Sequence, residues 1–315
     1  MKAKNIILAL AATTVALSSC NDLLNISQHG VQNYETYYQT DDEAEAAIVA
    51  CYSIALGNSY NALMGKNMLT DDFWAGGAMR ADNAQLESLN EFTFATDQEF
   101  LQGMFQSYYN IIYRANVVLG HIPDESDVQK RARAEAKVFR AWSYFELISM
   151  WGNPPLVDHE LEPSEYHKPN GTTEELWALV EKDLTEAIES GMLTQKANPD
   201  EKTWRVTKQY AQALLGKAYL WQKKYAEAAT TFDAIVESNT YRLYEDYENV
   251  ITYAGKQNPE IMFQSIRYKD ENNTWGNFGF TGVMVHFRTD CLEAGCCPAA
   301  GLADTGWGFC SPKAT

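Results

Sequence analysis

The segment from Arg131 to Val157 predicts a long amphipathic helix. Its apolar residues recur at intervals of three and four, which places side chains on one face of an α-helix. They are Ala134, Val138, Ala141, Trp142, Phe145 and Ile148. Arg131 and Glu135 are one turn apart and are expected to pair along the polar edge of the helix. Gly152 and the two prolines that follow should end it, because proline lacks an amide hydrogen and restricts the preceding residue. Extended chain should come next.

The same spacing predicts three other helices, at 43–56, 97–120 and 174–190. Asp41 and Asp42 are expected to cap the first of them, since short polar side chains accept hydrogen bonds from free helix amides. Two intervening segments are rich in Gly, Pro, Asn and Asp and are interpreted as long insertions. These insertions are residues 57–97 and 152–173.

Residues 209–238 match the spacing of a tetratricopeptide repeat, L-G-x2-Y in one helix and A-x3-F in the next. The matching residues are Leu215, Gly216, Tyr219, Ala228 and Phe232. Gly216 should let the paired helix approach, and Ala228 should lie where the two helices cross. The consensus tryptophan and proline are replaced by Gln212 and Thr240.

One such repeat cannot bury its own apolar face, so it requires neighbouring units. The earlier helices supply two more pairs, 43–56 with 97–120 and 131–151 with 174–190. The predicted fold is therefore mainly α, a tetratricopeptide-like helical-repeat scaffold with long loop insertions.

The composition restricts the class of partner. The 315 residues carry a formal net charge of −17, and 46% of them are hydrophobic, as in a globular protein. Nucleic acid is disfavoured as a partner because phosphate binding requires a basic surface. Tryptophan and tyrosine are abundant, with 8 and 18 residues. Such rings suit the apolar faces and hydroxyls of sugars, although aromatic side chains also dominate cores.

Residues 1–19 have the features of a secretory signal peptide, with Lys2 and Lys4 before an apolar run from Ile6 to Leu17. That run is too short to cross a bilayer as a helix. Small residues then precede Cys20, which resembles a bacterial lipobox and implies cleavage before Cys20 and lipidation of its thiol. Ordinary cleavage nearby is the alternative. With lipidation, residues 20–40 are a tether and acyl chains anchor the protein to a membrane.

Several blocks of the sequence, in the same order, resemble the SusD/RagB family of nutrient-binding outer-membrane lipoproteins. The most specific block spans the predicted long helix and the chain after it. It comprises Ala134, Glu135, Ala136, Phe139, Arg140, Ala141, Tyr144, Phe145, Leu147, Gly152, Pro155, Leu156 and Val157. Further matching blocks are 113–119, 204–208, 241–243 and 258–263.

This resemblance implies a SusD-like helical-repeat domain over residues 41–290. Family members are considerably longer, so the chain is interpreted as the N-terminal portion of a member. Residues 291–315, rich in Gly, Cys, Pro and Ala, would then be the irregular start of a missing C-terminal portion.

The resemblance also implies a function at the cell surface. The protein is expected to be lipid-anchored in the outer membrane, to capture oligosaccharides and to deliver them to a SusC-like TonB-dependent transporter. Two alternatives stay open: capture of peptides, as in the RagB branch, and a surface glycosidase.

The first insertion contains the main candidates for ligand contact. Trp74 offers a flat stacking face, and polar side chains around it can bond sugar hydroxyls. The candidate polar residues are Asp72, Arg80, Asp82 and Asn83. The segment can equally be a structural turn in which Trp74 plugs the helices beneath. A second candidate is Trp275, in the polar, glycine-containing segment 270–280.

The sequence gives little sign of a catalytic or metal-binding arrangement. The 5 histidines are scattered, and neither H-E-x-x-H nor G-x-S-x-G occurs. Paired carboxylates cannot be recognised by spacing among 42 acidic residues. Cys291, Cys296, Cys297 and Cys310 fit zinc spacing poorly, which leaves a metal site, a disulfide and free thiols all open. No enzyme activity and no cofactor are therefore expected.

Overall fold

The computed structural model describes residues 37–77, 79–250 and 255–264, and the backbone of residues 309–312. The chain divides into two compact units, residues 1–37 and 38–315. All helices and strands described below belong to the second unit. Cys20, Trp275 and three of the four clustered cysteines lie outside the described residues, and only the backbone is described at Cys310.

The described part is mostly helical, with one pair of short strands. Its helices are α1 (Asp41–Gly57), α2 (Ser59–Met68), α3 (Ala84–Asn90), α4 (Glu99–His121), α5 (Asp127–Trp151), α6 (Thr173–Glu189), α7 (Lys208–Trp221) and α8 (Tyr225–Glu237). Its strands are β1 (Phe73–Gly76) and β2 (Phe309–Pro312), which pair antiparallel. The prediction of a mainly α fold is confirmed.

The predicted helix pairs contact each other. α1 packs on α4, α5 on α6 and α7 on α8, and α4 with α5 and α6 with α7 join successive pairs. Within the last pair, a Cβ atom built on Gly216 would lie 2.7 Å from the ring of Phe232. Ala228 is buried beside it, with 1% of its surface exposed. The close approach predicted at Gly216 is therefore present.

Helix α5 lies at the centre of the main core. The predicted face is buried except for Trp142, which is half-buried. The helix ends at Gly152, whose φ of +74° is a conformation that favours glycine. Pro155 then forms an isolated antiparallel bridge with Asn170, so the chain after the helix is extended at that point as predicted.

The structure corrects the expectation for Glu135, which is fully buried rather than at a polar edge. Arg131 is its more distant partner, with Nε 4.0 Å from the carboxylate. Arg205 donates from Nη1 to both carboxylate oxygens at 2.9 Å, and the Tyr52 hydroxyl donates at 3.0 Å. Burial raises the pKa of Glu135, and Arg205 opposes that rise. The carboxylate thus links α1, α5 and the segment before α7.

The cap of α1 is also corrected. Thr40, not Asp41 or Asp42, is the N-cap residue, and its hydroxyl accepts from the Glu43 amide at 3.3 Å. The Glu43 carboxylate accepts in return from the Thr40 amide, completing a capping box. Asp41 and Asp42 instead lie in the first turn, where negative charge favours the positive end of the helix dipole.

Residues 57–97 contain regular structure, unlike the loop expected there. α2, β1 and α3 fall in this range and surround a second small core. Its fully buried side chains are Met64, Met68, Leu86 and Leu89. These residues recur at intervals of three and four within two helices too short to give a clear periodic signal.

Residues 152–172 are irregular apart from the Pro155–Asn170 bridge and one 3-10 turn, Pro163–Glu165. Polar side chains of α4 and α5 hold carbonyl groups of this segment. Tyr109 donates to the Pro155 carbonyl at 2.6 Å, and Asn116 donates to the carbonyls of Val157 and His159 at 3.2 and 3.0 Å. These bonds replace the missing secondary-structure partners, so this segment is fixed to the core.

Candidate functional site

Strand β1 displays Trp74 at the surface. Successive strand residues point to opposite faces, and here Ala75 is 3% exposed whereas Trp74 is 55% exposed. Phe73, on the same side as Ala75, packs against the second core. The backbone of β1 pairs with β2, placing Trp74 opposite Ser311. The indole is therefore an exposed aromatic surface on an ordered strand.

Two consecutive glycines lie at the end of the strand. Gly76, the last residue of β1, and Gly77 have φ values of +72° and +90°, which side-chain-bearing residues rarely adopt. Between these glycines and α3, the Ala81 amide donates to the Glu87 carboxylate at 2.5 Å. The backbone beside Trp74 therefore adopts a conformation that favours glycine.

Three of the four predicted polar residues, Asp72, Arg80 and Asp82, are exposed, and Asn83 is partly buried. Arg80 forms an exposed ion pair with Glu91 at 2.7 Å, and Asn83 caps α3 by accepting from the Leu86 amide at 3.1 Å. Arg80 and Asn83 thus have structural partners. A role for any of the five residues in ligand contact, and for Trp275 outside the described part, stays a prediction.

A cleft of about 520 Å³ borders the same small core. Leu69 lines the cleft and also packs against the second core. The opposite side is formed by Phe105 and Trp151, whose rings meet edge-to-face at 5.3 Å. Aromatic walls with few polar groups suit an apolar ligand face. The sequence pattern places Trp151 at the end of the long helix but does not indicate a cleft there.

The polar residues around Trp74 are mainly acidic. Asp71 and Asp72 are exposed, and Arg80 forms an ion pair with Glu91. Hydroxyl groups can donate to carboxylates, whereas an anionic ligand would meet repulsion. This surface therefore favours neutral ligands with many hydroxyls.

Among the described residues, no group of three or more His, Cys, Asp or Glu side chains is arranged to hold a metal ion. His159 lies between two carboxylates, with Nδ1 2.8 Å from Asp158 and Nε2 3.1 Å from Glu165. Both bonds raise the pKa of His159. The hydrogen bond from the Glu162 amide, followed by that from His159, lowers the pKa of Glu165 to about 2. All three residues are at the surface of the segment that follows α5.

Within the described part, none of the helices combines the length and the apolar content that crossing a bilayer demands.

The structure is a helical-repeat scaffold in which pairs of helices surround a long central helix. An inserted strand exposes an aromatic residue and so provides a candidate binding surface. Residues 46–220 match the model of a SusD-like family described as "Starch-binding associating with outer membrane". That match covers more than half of the chain. The protein therefore belongs to the SusD-like family, as its sequence blocks predicted.

Individual relatives agree with this assignment. SusD-like protein P38 of Formosa agariphila is 25% identical over 292 residues, which are 86% of this chain and 56% of the relative. A solved laminarin-binding SusD-like protein is 28% identical with a TM-score of 0.75, covering 88% of this chain and 63% of that one. The chain thus spans about half the length of the curated relatives it matches.

Surface glycan-binding protein A of Bacteroides thetaiotaomicron, solved in complex with laminarihexaose, shares the fold. Its TM-score is 0.68 at 24% identity, over 87% of this chain and 59% of that one. At this identity the likeness concerns the arrangement of helices alone.

Proposed function

We propose that the protein is a surface glycan-binding lipoprotein that captures oligosaccharides and delivers them to a SusC-like TonB-dependent transporter. Membership of a family described as starch-binding and associated with the outer membrane supports this proposal. Similarity to a solved protein named for laminarin binding supports the chemical class of ligand.

The observation that carries the proposal is the exposure of Trp74. Exposure of an apolar indole face to water is unfavourable, so packing of a ligand against it is favourable. The apolar face of a pyranose ring is a suitable ligand surface. The second core fixes β1 beneath the indole, so little side-chain or loop ordering is needed when ligand binds. The exposed carboxylate of Asp72 can accept hydrogen bonds from hydroxyls of the stacked sugar.

The first ligand to test is a β-glucan oligosaccharide of the laminarin type, since one solved relative, 28% identical, is named for laminarin binding. Neutral glucans also suit the acidic surface around Trp74 better than acidic polysaccharides do. Maltoheptaose provides the comparison for the starch-binding description of the family.

The anchor would be Cys20, lipidated after removal of residues 1–19. Several acyl chains, each methylene contributing roughly 0.8 kcal/mol, would retain the protein at a membrane without a spanning helix. Palmitate labelling of the full-length chain and of Cys20→Ala tests this point. Label on the wild type only is expected, and equal labelling of both would reject the anchor.

The binding experiment uses the mature chain with Cys20→Ser, titrated calorimetrically with laminarihexaose, maltoheptaose, an acidic oligosaccharide and a peptide mixture. Saturable binding of a neutral glucan without release of shorter sugars is expected. Binding of peptides alone would favour the RagB-like alternative, and release of shorter sugars would favour a glycosidase. Purification of the lipidated protein tests whether the transporter copurifies with it, as delivery requires.

A further inference from the structure

Phe92 occupies an unusual backbone position just after α3. Its φ is +54°, in the left-handed region that a bulky side chain rarely adopts. The Phe92 amide donates to the Leu89 carbonyl at 3.2 Å. The next amide, of Thr93, donates to the Ser88 carbonyl at 2.9 Å. These two bonds form a Schellman motif, in which Phe92 takes the position that glycine usually fills.

The ends of α6, α7 and α8 offer a comparison within the same chain. The equivalent positions carry Gly191, Lys223 and Asn239, with φ values of +68°, +61° and +52°. The end of α7 also has the same pair of hydrogen bonds, at 3.0 and 2.9 Å. Glycine and asparagine tolerate this conformation, and a lysine keeps its charged end in water. None of these reasons applies to a phenylalanine.

Packing does not explain the ring of Phe92 either. The side chain is 61% exposed, whereas Phe94, two residues further on, packs against the second core. Burial of an apolar side chain can offset an unfavourable backbone conformation, but most of this ring is left in water. Strained residues that lack glycine's freedom concentrate at functional sites, where contact with a ligand supplies the missing benefit. Phe92 is therefore a candidate ligand contact.

The end of α3 lies beside the Trp74 surface. The side chain of Asn90, the last residue of α3, donates to the Phe73 carbonyl at 2.9 Å, directly before Trp74. Phe92 is two residues beyond Asn90 and two before Phe94, which lines the cleft of about 520 Å³. Along the chain, Phe92 thus lies between the contact with the strand that displays Trp74 and the aromatic cleft.

We propose that Phe92 is a second aromatic contact for the bound oligosaccharide and extends the glycan site from Trp74 towards the cleft. This inference rests on the proposed function and adds a requirement for ligand length. Each ring can stack on the apolar face of one sugar unit, and the two rings come from different elements of the fold. A ligand that contacts both rings must therefore contain several sugar units, so affinity should rise with chain length.

The test compares Phe92→Gly, Phe92→Tyr and Lys223→Gly in the mature chain with Cys20→Ser. Each variant is titrated with laminarihexaose, maltoheptaose and the disaccharides laminaribiose and maltose. Phe92→Gly should weaken the better-bound of the two longer glucans about tenfold, the size expected for one stacked ring, and change the corresponding disaccharide less than twofold. Phe92→Tyr retains the ring and should bind within twofold of the wild type.

Thermal unfolding separates ligand contact from a structural role. Glycine relieves the left-handed strain, so Phe92→Gly and Lys223→Gly should each raise the melting temperature by about 1–3 °C. Lys223→Gly is the matched control, because it changes an equivalent helix end and should leave all affinities unchanged. Only Phe92→Gly should combine a higher melting temperature with weaker binding.

Three results would overturn the inference and leave the proposed function standing. They are unchanged affinity of Phe92→Gly for the longer glucan, equal weakening of long and short glucans, and a fall in melting temperature together with affinity. If the wild type bound neither longer glucan, the proposed function would itself fail, and this inference with it.

Discussion

Arg140 and Asp183 form a two-pronged buried ion pair. Nε of Arg140 donates to Oδ2 of Asp183 at 2.7 Å, and Nη2 donates to Oδ1 at 2.8 Å. The remaining Nη1 group donates to the Asn116 side chain and to the Asp158 carbonyl, both at 2.7 Å. One guanidinium therefore joins α4, α5, α6 and the segment after α5, which accounts for a charged residue on the inner face of the central helix.

Asp183→Ala is expected to destabilise the fold by about 3–5 kcal/mol, because it leaves a buried guanidinium without its counter-charge. Glu186→Ala is the matched control. It removes a carboxylate from the same helix that pairs with Lys137 of α5 at 2.7 Å, but its side chain is 42% exposed. That loss should be no more than about 1 kcal/mol. Urea unfolding measures both, and similar losses would contradict the assigned role of Asp183.

Gly216→Ala should destabilise the last helix pair by about 1–2 kcal/mol, because the added methyl group would overlap the ring of Phe232. Gly120→Ala, in open space within α4, should instead gain up to about 1 kcal/mol from helix propensity. In a Phe232→Ala background the Gly216 substitution should become neutral or favourable. Thermal unfolding of the double-mutant cycle measures the coupling, and its absence would reject the close contact.

The sequence predicted the long helices because their apolar periodicity extends over several turns. It also located the contact at Gly216, since the tetratricopeptide spacing specifies where a small residue is needed. It misplaced Glu135, because a helix pattern assigns a charged residue to the surface unless a distant partner is known. That partner, Arg205, lies far along the chain and becomes adjacent only after folding.

Protonated His159 should stabilise the protein at low pH. Its pKa is raised above the ordinary value of 6.5 by hydrogen bonds to Asp158 and Glu165. The stabilisation is therefore complete below about pH 6.5 and is lost as the pH rises through the raised pKa. Melting temperatures from about pH 6 to 8 should fall more steeply for the wild type than for His159→Gln. Equal pH dependence of the melting temperature in the two proteins would show that the interaction of His159 with Asp158 and Glu165 does not stabilise the fold.

Arg80 can be tested as a ligand contact separately from its ion pair with Glu91. Arg80→Met and Glu91→Gln both break an exposed pair and should each change stability by less than about 1 kcal/mol. If Arg80 bonds the glycan, only its own replacement should weaken binding, by about tenfold. Equal affinities in the two variants would restrict Arg80 to a structural role.

The candidate site was less accessible from sequence than the fold. Trp74 is a candidate because its indole offers a flat stacking face within a polar, glycine-containing segment, and its role in binding stays a prediction. The small core that supports it was missed, since its buried residues come from α2 and α3, which are too short for reliable periodicity. Asn83 was selected for its hydrogen-bonding groups, yet its side-chain oxygen caps α3. A helix-capping asparagine and a ligand-binding asparagine can be distinguished only when the first residue of the helix is known.

The measurement we would make first is calorimetric titration of laminarihexaose into the wild type, Trp74→Ala and Trp221→Ala. The two tryptophans are 55% and 54% exposed, but Trp221 lies at the end of α7 and its ring contacts Phe145 edge-to-face. Loss of a stacking ring at Trp74 should weaken binding by about 1–3 kcal/mol, roughly 5- to 150-fold, while Trp221→Ala binds like the wild type. Unchanged affinity in Trp74→Ala would exclude β1 as the glycan surface.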